Sequence, residues 1–93
     1  MEIKVYATLR DVVGGSSVQF DGVSEMTVGQ MLEALCAKFP ALTPKLHTNG
    51  HDLHPAIHIL VNGRDMRYIN GLETLVTAKD NVRIFPPVGG GLR

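Results

Sequence analysis

The 93-residue chain lacks most of the features that define common functional classes. One cysteine, Cys36, excludes an internal disulfide. Nine basic and nine acidic residues cancel and are scattered, which leaves no positive field for a nucleic-acid backbone. No apolar run approaches the roughly 20 residues that cross a bilayer, and "MEIKVYATLR" alternates like a strand rather than a signal peptide. These absences predict a small cytoplasmic protein with no nucleic-acid or membrane partner.

Side chains that could catalyse a reaction are also scarce. Four histidines lie close together, but Asp52 is the single carboxylate among them, so no metal is assigned to His47, His51, His54 and His58. Cys36 stands in a helical pattern and is expected to be a small buried or half-buried filler. No Ser-His-Asp set, carboxylate pair or HExxH motif is present. We therefore expect a protein that is not itself an enzyme.

The first half of the chain predicts two strands and one helix. Alternation over 1–7 indicates a strand with Met1, Ile3, Val5 and Ala7 on the core side, and alternation over 17–21 indicates a second strand, joined to the first through a loose loop at "VVGGSS". Thr27 and Gln30 form a capping-box pattern, and apolar residues then recur at helical spacing up to Pro40. The spacing predicts a helix over Val28 to Phe39.

The second half predicts a loop and three further strands. "PALTPKLHTNGHDLHP" is expected to be mostly loop, with one helical turn after Thr43. "AIHILVN" predicts a strand whose residues 57, 59 and 61 face inward. A short strand is expected at Met66 to Tyr68 and a helical turn at Leu72 to Leu75. A last strand is expected at Asn81 to Phe85, with residues 82 and 84 facing inward, and Pro86 ends it because proline has no amide hydrogen.

This element order describes an α+β fold, a mixed sheet with one main helix across one face. A crossover helix between the second and third strands makes the first and last strands central neighbours. That arrangement is the β-grasp, or ubiquitin-like, fold. We expect a β-grasp domain over 1–87 and a flexible glycine-rich tail over 88–93 that leaves from a central strand.

The strand phases place an apolar row on the outer face of the predicted sheet. Tyr6, Leu60 and Phe85 fall on the solvent side of adjacent strands, and Val88 follows in the tail. Apolar residues gathered beside a tail predict a docking surface for a partner.

The chain ends in "PPVGGGLR". Glycines have no side chain, so an extended Gly89-Gly90-Gly91 segment can thread a channel too narrow for any Cβ. Such a segment gives a partner enzyme access to a main-chain carbonyl, and the chemistry would take place on the chain's own carboxylate.

Four segments together resemble a known family. "YATLRDVVGG", "ILVNG", "GLETLV" and "DNVRIFPPVGGG" are similar to the MoaD/ThiS family of ubiquitin-like sulfur carrier proteins, over nearly the whole chain. The family ending Pro-Pro-Val-x-Gly-Gly maps onto residues 86–91. The resemblance is nearest to carriers of the CysO type, which serve cysteine or related sulfur metabolism; the small subunit of molybdopterin synthase is the alternative.

The resemblance implies a specific reaction on the tail. An E1-like enzyme uses ATP to adenylate the carboxylate of Gly91, which follows Gly90, and a sulfur donor displaces AMP to leave a thiocarboxylate. The sulfur then passes to a biosynthetic enzyme, which is cysteine-synthase-like or the molybdopterin synthase large subunit. No cofactor is bound by the carrier. The partners would contact the outer apolar row and the arm formed by Pro86, Pro87, Val88 and Gly89.

Leu92 and Arg93 exceed the family pattern. The resemblance implies a precursor that a metalloprotease cuts between Gly91 and Leu92; an origin of these two residues in cloning is the alternative. Two other functions are open from the sequence. One is a protein modifier joined to lysines through Gly91, and the other is a β-grasp interaction domain without chemistry.

Overall fold

The computed structural model describes residues 1–48 and 52–87. Along this part of the chain the strands are β1 Glu2–Val5, β2 Ser17–Gln19, β3 Glu25–Thr27, β4 His47–Thr48, β5 Asp52–Leu53, β6 His58–Val61, β7 Arg64–Asp65, β8 Leu75–Thr77 and β9 Val82–Phe85. The helices are α1 Thr8–Val13, α2 Val28–Lys38 and α3 Thr43–Leu46, and short 3-10 turns cover Pro40–Leu42, Met66–Tyr68 and Gly71–Glu73.

Five strands form one mixed sheet in the order β2-β1-β9-β6-β7. The first and last strands lie side by side and parallel, with Val5 opposite Ile84, and the other pairs are antiparallel. The predicted central pair and the β-grasp architecture are confirmed. As a result, the chain leaves the sheet from a strand that has a neighbour on each side.

The long helix α2 starts and ends where the sequence predicts, to within one residue. The Thr27 hydroxyl accepts a hydrogen bond from the Gln30 amide at 3.1 Å, and the Gln30 side chain accepts one from the Thr27 amide at 2.9 Å. The capping box therefore satisfies two amides at the helix start. α2 ends at Lys38, just before the Phe39-Pro40 sequence.

The core lies between α2 and the inner face of the sheet. The inward residues of β1, β6 and β9 are buried as predicted, and α2 covers them with four buried side chains: Val28, Met31, Leu32 and Leu35. Cys36 is half-buried against this core. The sheet therefore has one covered face and one outer face.

The loop predicted after the first strand is wrong, because α1 occupies it. Leu9 is buried and fixes the helix to the core, while Gly14 ends it in the left-handed conformation at φ 75°. The Gly14 amide donates to the carbonyl of Arg10 at 2.9 Å. Ala7, predicted to face inward in the strand, is exposed with φ 53° and precedes α1.

The strand predicted at Met66 to Tyr68 is also wrong. Asp65 accepts a hydrogen bond from the Arg67 amide at 2.8 Å, which turns the chain into a 3-10 helix, and the short strand is β7 just before it. Leu75, predicted in a helical turn, begins β8. β8 pairs with β3 and β4 pairs with β5, and neither pair was predicted.

Two further expectations concern other parts of the chain. The predicted boundary between a domain and a tail at residue 88 falls where the described residues end. No helix among the described residues is long and apolar enough to cross a membrane.

Candidate docking face at the end of the last strand

The centre of the outer face is an aromatic pair. The rings of Tyr6 and Phe85 stack with centroids 4.3 Å apart and an interplanar angle of 10°. Both side chains are half-buried. Because Val5 and Ile84 are register partners in the parallel pair β1-β9, the next residue of each strand reaches the same level of the sheet.

Leu60 lies on the same outer face but not beside Phe85. In the register between β6 and β9, His58 is opposite Phe85 and Leu60 is opposite Arg83. Leu60 is half-buried and diagonal to the aromatic pair. The three apolar residues predicted to share a face therefore do share it, and His58 continues the row that starts at Tyr6.

Helix α1 supports the row from one side. The guanidinium carbon of Arg10 lies 5.0 Å from the centroid of the Tyr6 ring, and its Nε donates a hydrogen bond to the carbonyl of Val5 at 3.0 Å. A cation over an aromatic face is attracted by the ring's quadrupole. Arg10, Tyr6 and Phe85 therefore form one stack.

Two cations border the apolar row. Lys4 and Arg83 are register partners on neighbouring strands. Like charges directly opposite each other are unfavourable in a sheet, and neither side chain has an ion-pair partner among the described residues. Glu2 shares the outer side of β1 with Lys4, so this part of the face carries two cations and one exposed carboxylate in a chain whose formal net charge is zero.

The carboxylate of Asp65 lies at the opposite edge of the row. Its Oδ2 is 3.2 Å from Nδ1 of His58 and 3.7 Å from a guanidinium nitrogen of Arg67. Partial burial raises the pKa of Asp65, but the Arg67 amide, the His58 ring and the Arg67 charge outweigh that effect and lower it overall. The one carboxylate at this edge is therefore engaged by neighbours.

The outer face is continuous with the exit of the chain. Phe85 is the last residue of β9, Pro86 is buried and Pro87 is half-buried. The other predicted tail residues, namely Val88, Gly89, Gly90, Gly91 and Leu92, lie outside the described residues. Phe85, one residue of the predicted docking surface, is therefore on the strand that the predicted reactive segment follows in sequence.

The histidines that the structure describes do not form a recognisable centre. His54 Nδ1 accepts a hydrogen bond from the Ala56 amide at 3.0 Å, and His58 pairs with Asp65. His51 lies outside the described residues. Within the part of the chain that is described, no three His, Cys, Asp or Glu side chains are grouped so as to hold a metal ion.

Sequence reasoning did not single out Lys4, Arg10, His58 or Arg83 as site residues. Lys4, His58 and Arg83 are on the same side of their strands as the apolar row, so period-two alternation alone predicts that they lie on the outer face. Arg10 belongs to α1, where the sequence predicts a loop. Without that helix, no sequence pattern places the Arg10 side chain beside the apolar row.

A β-grasp domain whose central strand leads out beside an aromatic face is typical of ubiquitin-like carriers and modifiers. The sequence profile of the ThiS family matches residues 3–91, and the chain belongs to that family. The match includes Gly91, and Leu92 and Arg93 lie beyond it.

Named relatives include both carriers and modifiers. Small archaeal modifier protein 3 of Haloferax volcanii is 35% identical over 91 residues, which cover 98% of each chain. Sulfur carrier protein CysO of Mycobacterium tuberculosis is 32% identical over 92 residues, which cover 96% of each. The predicted family is confirmed. The chain is about as similar to modifier proteins as it is to carriers of the CysO type.

A solved structure adds a relative in an assembly. One chain of the Amycolatopsis orientalis BexX/CysO complex superposes with a TM-score of 0.77 at 30% identity, covering 97% of this chain and 98% of that one. The likeness extends over nearly the whole fold, including the sheet that carries the outer face.

Proposed function

We propose that this protein is a sulfur carrier whose reactive group is the carboxylate of Gly91. A partner enzyme adenylates this carboxylate with ATP, and a sulfur donor then displaces AMP and leaves a thiocarboxylate. A second enzyme takes the sulfur to make cysteine or a related metabolite. The carrier supplies a docking face and a narrow arm, and the chemistry resides in its partners.

The observation that carries this proposal is the position of Phe85. Its ring belongs to the outer stack, and its backbone ends the strand that continues to Gly91. Gly91 is six positions after Phe85, and a fully extended chain of that length reaches at most about 22 Å. An enzyme bound to the outer face therefore has Gly91 no farther from Phe85 than this extended length.

The composition of the outer face indicates the chemistry of the enzyme surface that binds it. Tyr6, Leu60 and Phe85 offer half-buried apolar area, and Lys4 and Arg83 place positive charge beside it. We expect the activating enzyme to present an apolar depression with acidic side chains at its rim. Complementary charge raises the rate of encounter and fixes the docking register.

The residues after Gly91 must be absent for the reaction to proceed. In the given sequence the Gly91 carbonyl is bonded to Leu92, so it has no free carboxylate. We propose that a protease, of the metalloprotease class in related systems, cuts after Gly91. The end of the family match at this residue supports that position.

The test compares two chains, one ending at Arg93 and one ending at Gly91. Each is incubated with the cognate activating enzyme, ATP and a sulfur donor, and intact mass reports replacement of oxygen by sulfur. We expect conversion of the shorter chain alone. Equal conversion of both chains contradicts the precursor step, and conversion of neither contradicts sulfur transfer to this carboxylate.

A second function, protein modification, has a specific observation in its favour. The 35% identical relative from Haloferax volcanii is named a modifier protein. A modifier would form an isopeptide bond between Gly91 and a lysine of another protein. Trypsin cleaves after Arg83, so a modified lysine would keep residues 84–91 as a branch. Mass spectrometry of tryptic digests for this branch distinguishes a modifier from a carrier, which leaves none.

The sulfur acceptor is tested separately. The thiocarboxylate form is offered to a cysteine-synthase-like enzyme and to a molybdopterin synthase large subunit from the same organism. We expect transfer to the first. Transfer to the second alone would assign the protein to molybdenum cofactor biosynthesis.

A further inference from the structure

The helix side of the molecule carries a groove that has no part in the proposed reaction. It lies between the first turns of α2, the 3-10 turn Gly71–Glu73 and the residues around β4 and β5, and its volume is about 410 Å³. Leu32, Leu53 and Leu72 give it an apolar lining. Because α2 covers the inner face of the sheet, this groove and the outer face are on opposite sides of the domain.

The rim of the groove is acidic. Glu33 and Glu73 are the charged side chains among its lining residues, apart from the titratable ring of His47. Both carboxylates are exposed, and neither has an ion-pair partner within the described residues. Two exposed carboxylates beside a mixed polar and leucine lining form a surface that attracts a cationic partner with some apolar area.

Apolar surface continues from the groove along the chain. In the described part of the protein, the large hydrophobic side chains that are exposed all belong to one segment, namely Tyr68, Ile69, Leu72 and Leu75. Leu72 lines the groove and has 43% of its surface exposed. Exposed apolar residues scattered singly are normal, whereas a cluster beside a groove indicates an interaction surface.

The opposite side of the same molecule has the complementary composition. The outer face is apolar at Tyr6, Leu60 and Phe85, and positive at Lys4 and Arg83. The two cations are register partners without a carboxylate partner among the described residues, so a bound anionic surface would relieve their repulsion. The groove of another copy supplies such a surface at Glu33 and Glu73.

We propose that two copies associate head to tail, with the outer face of one copy seated on the acidic groove of the other. The contact is heterologous, because the two surfaces differ and lie on opposite sides of the domain; repetition would extend a chain of copies rather than close a symmetric dimer. The association does not depend on the sulfur chemistry. It does compete with any enzyme that binds the outer face.

Sedimentation velocity from micromolar to millimolar concentration tests the association. We expect the average sedimentation coefficient of the full 93-residue chain to rise with concentration, and the rise to shrink in high salt because salt screens the charges. A single monomer at every concentration overturns the proposal. The measurement contains no activating enzyme, so its failure and the failure of the sulfur-carrier function are distinguishable.

Charge reversal identifies the two surfaces. A groove variant carries Glu33→Lys and Glu73→Lys, and a face variant carries Lys4→Glu and Arg83→Glu. All four side chains are exposed or half-buried. Circular dichroism checks that both variants fold. Each variant alone has like charges on both surfaces, so we expect at least a tenfold loss of self-association.

Mixing the two variants gives the decisive result. Each one then offers a surface whose charge complements the other, and we expect heteromeric species in the mixture that neither component forms alone. A chain with all four reversals should regain self-association. Self-association that persists in both single-surface variants, or a mixture that stays monomeric, overturns the head-to-tail contact.

Discussion

The side chain of Asn62 donates a hydrogen bond to the carboxylate of Asp80 at 3.0 Å, which joins the turn after β6 to the turn before β9. The same side chain accepts one from the Asn81 amide at 2.9 Å. Asn62 itself has φ 54°, in the left-handed region that asparagine tolerates better than most residues. This junction fixes the start of the strand that leads to the proposed reactive end.

We predict that Asn62→Ala lowers the free energy of unfolding by about 1–3 kcal/mol. The substitution removes two hydrogen bonds, and alanine tolerates a positive φ less well than asparagine does. Urea unfolding measures the change. Asn62→Gly is the matched control, since it loses the same hydrogen bonds but accepts the backbone conformation. An alanine variant as stable as the wild type would contradict the role of this junction.

The two carboxylates with lowered pKa predict acid sensitivity. The Asn62 side chain and the Thr77 amide lower the pKa of Asp80, and that of Asp65 is lowered as described above. A group whose folded pKa is below its unfolded value contributes stability at pH above the unfolded value, and this contribution is lost as pH falls through the folded value.

Both ordinary values are 3.8, so we expect the unfolding free energy to be steady near neutral pH and to fall as the pH drops toward and below that value. Asp80→Asn should be less stable near pH 7 and should lose less stability on acidification. Thermal melts of the two proteins across the acid range measure this difference. Parallel pH profiles would contradict the assignment to Asp80.

The outer face is tested by Phe85→Asp. Because the ring is half-buried and stacked on Tyr6, we expect a loss of about 1–3 kcal/mol in stability with the fold retained. Binding to the activating enzyme should weaken more than tenfold, since a charge replaces an apolar anchor. Isothermal titration measures affinity, and circular dichroism measures folding.

Leu75→Asp is the matched control for that variant. Leu75 is a hydrophobic residue with 58% of its surface exposed, and it lies on β8, outside the five-stranded sheet. We expect its affinity for the activating enzyme to equal that of the wild type. Equal weakening by both variants would show that the effect is not specific to the outer face.

Elements with a strong local pattern could be predicted from the sequence. α2 has a capping box and a sustained helical period, and β6 and β9 alternate cleanly, so their inward residues were identified correctly. The face shared by Tyr6, Leu60 and Phe85 follows from the same alternation. The stacking of two of these rings requires the register of β1 against β9, which local sequence does not encode.

The missed elements depend on contacts between distant residues. α1 has six residues, includes the β-branched pair Val12-Val13 and ends at a glycine, so its sequence also suits a turn. The pair β3-β8 joins three-residue strands about 50 residues apart in sequence. At the start of the 3-10 turn Met66–Tyr68 the Arg67 backbone amide donates a hydrogen bond to the Asp65 side chain, which alternation cannot reveal.

Ala7 links the outer face to the start of α1, and its backbone lies in a region that residues with a Cβ rarely adopt. Its φ is 53° and its ψ is −130°, and its side chain is exposed. Such a conformation costs on the order of 1–3 kcal/mol for a residue other than glycine. Glycine adopts it freely, although it raises the entropy of the unfolded chain by the equivalent of about 0.4–1 kcal/mol.

We therefore predict that Ala7→Gly raises the free energy of unfolding by about 1 kcal/mol, because relief of strain exceeds the added entropy and no buried contact is lost. Ala7→Val should act in the opposite direction, since a β-branched side chain is still less compatible with positive φ. Urea unfolding of the three proteins gives the order Gly, Ala, Val in decreasing stability. A glycine variant less stable than the wild type would show that the Ala7 backbone is not strained.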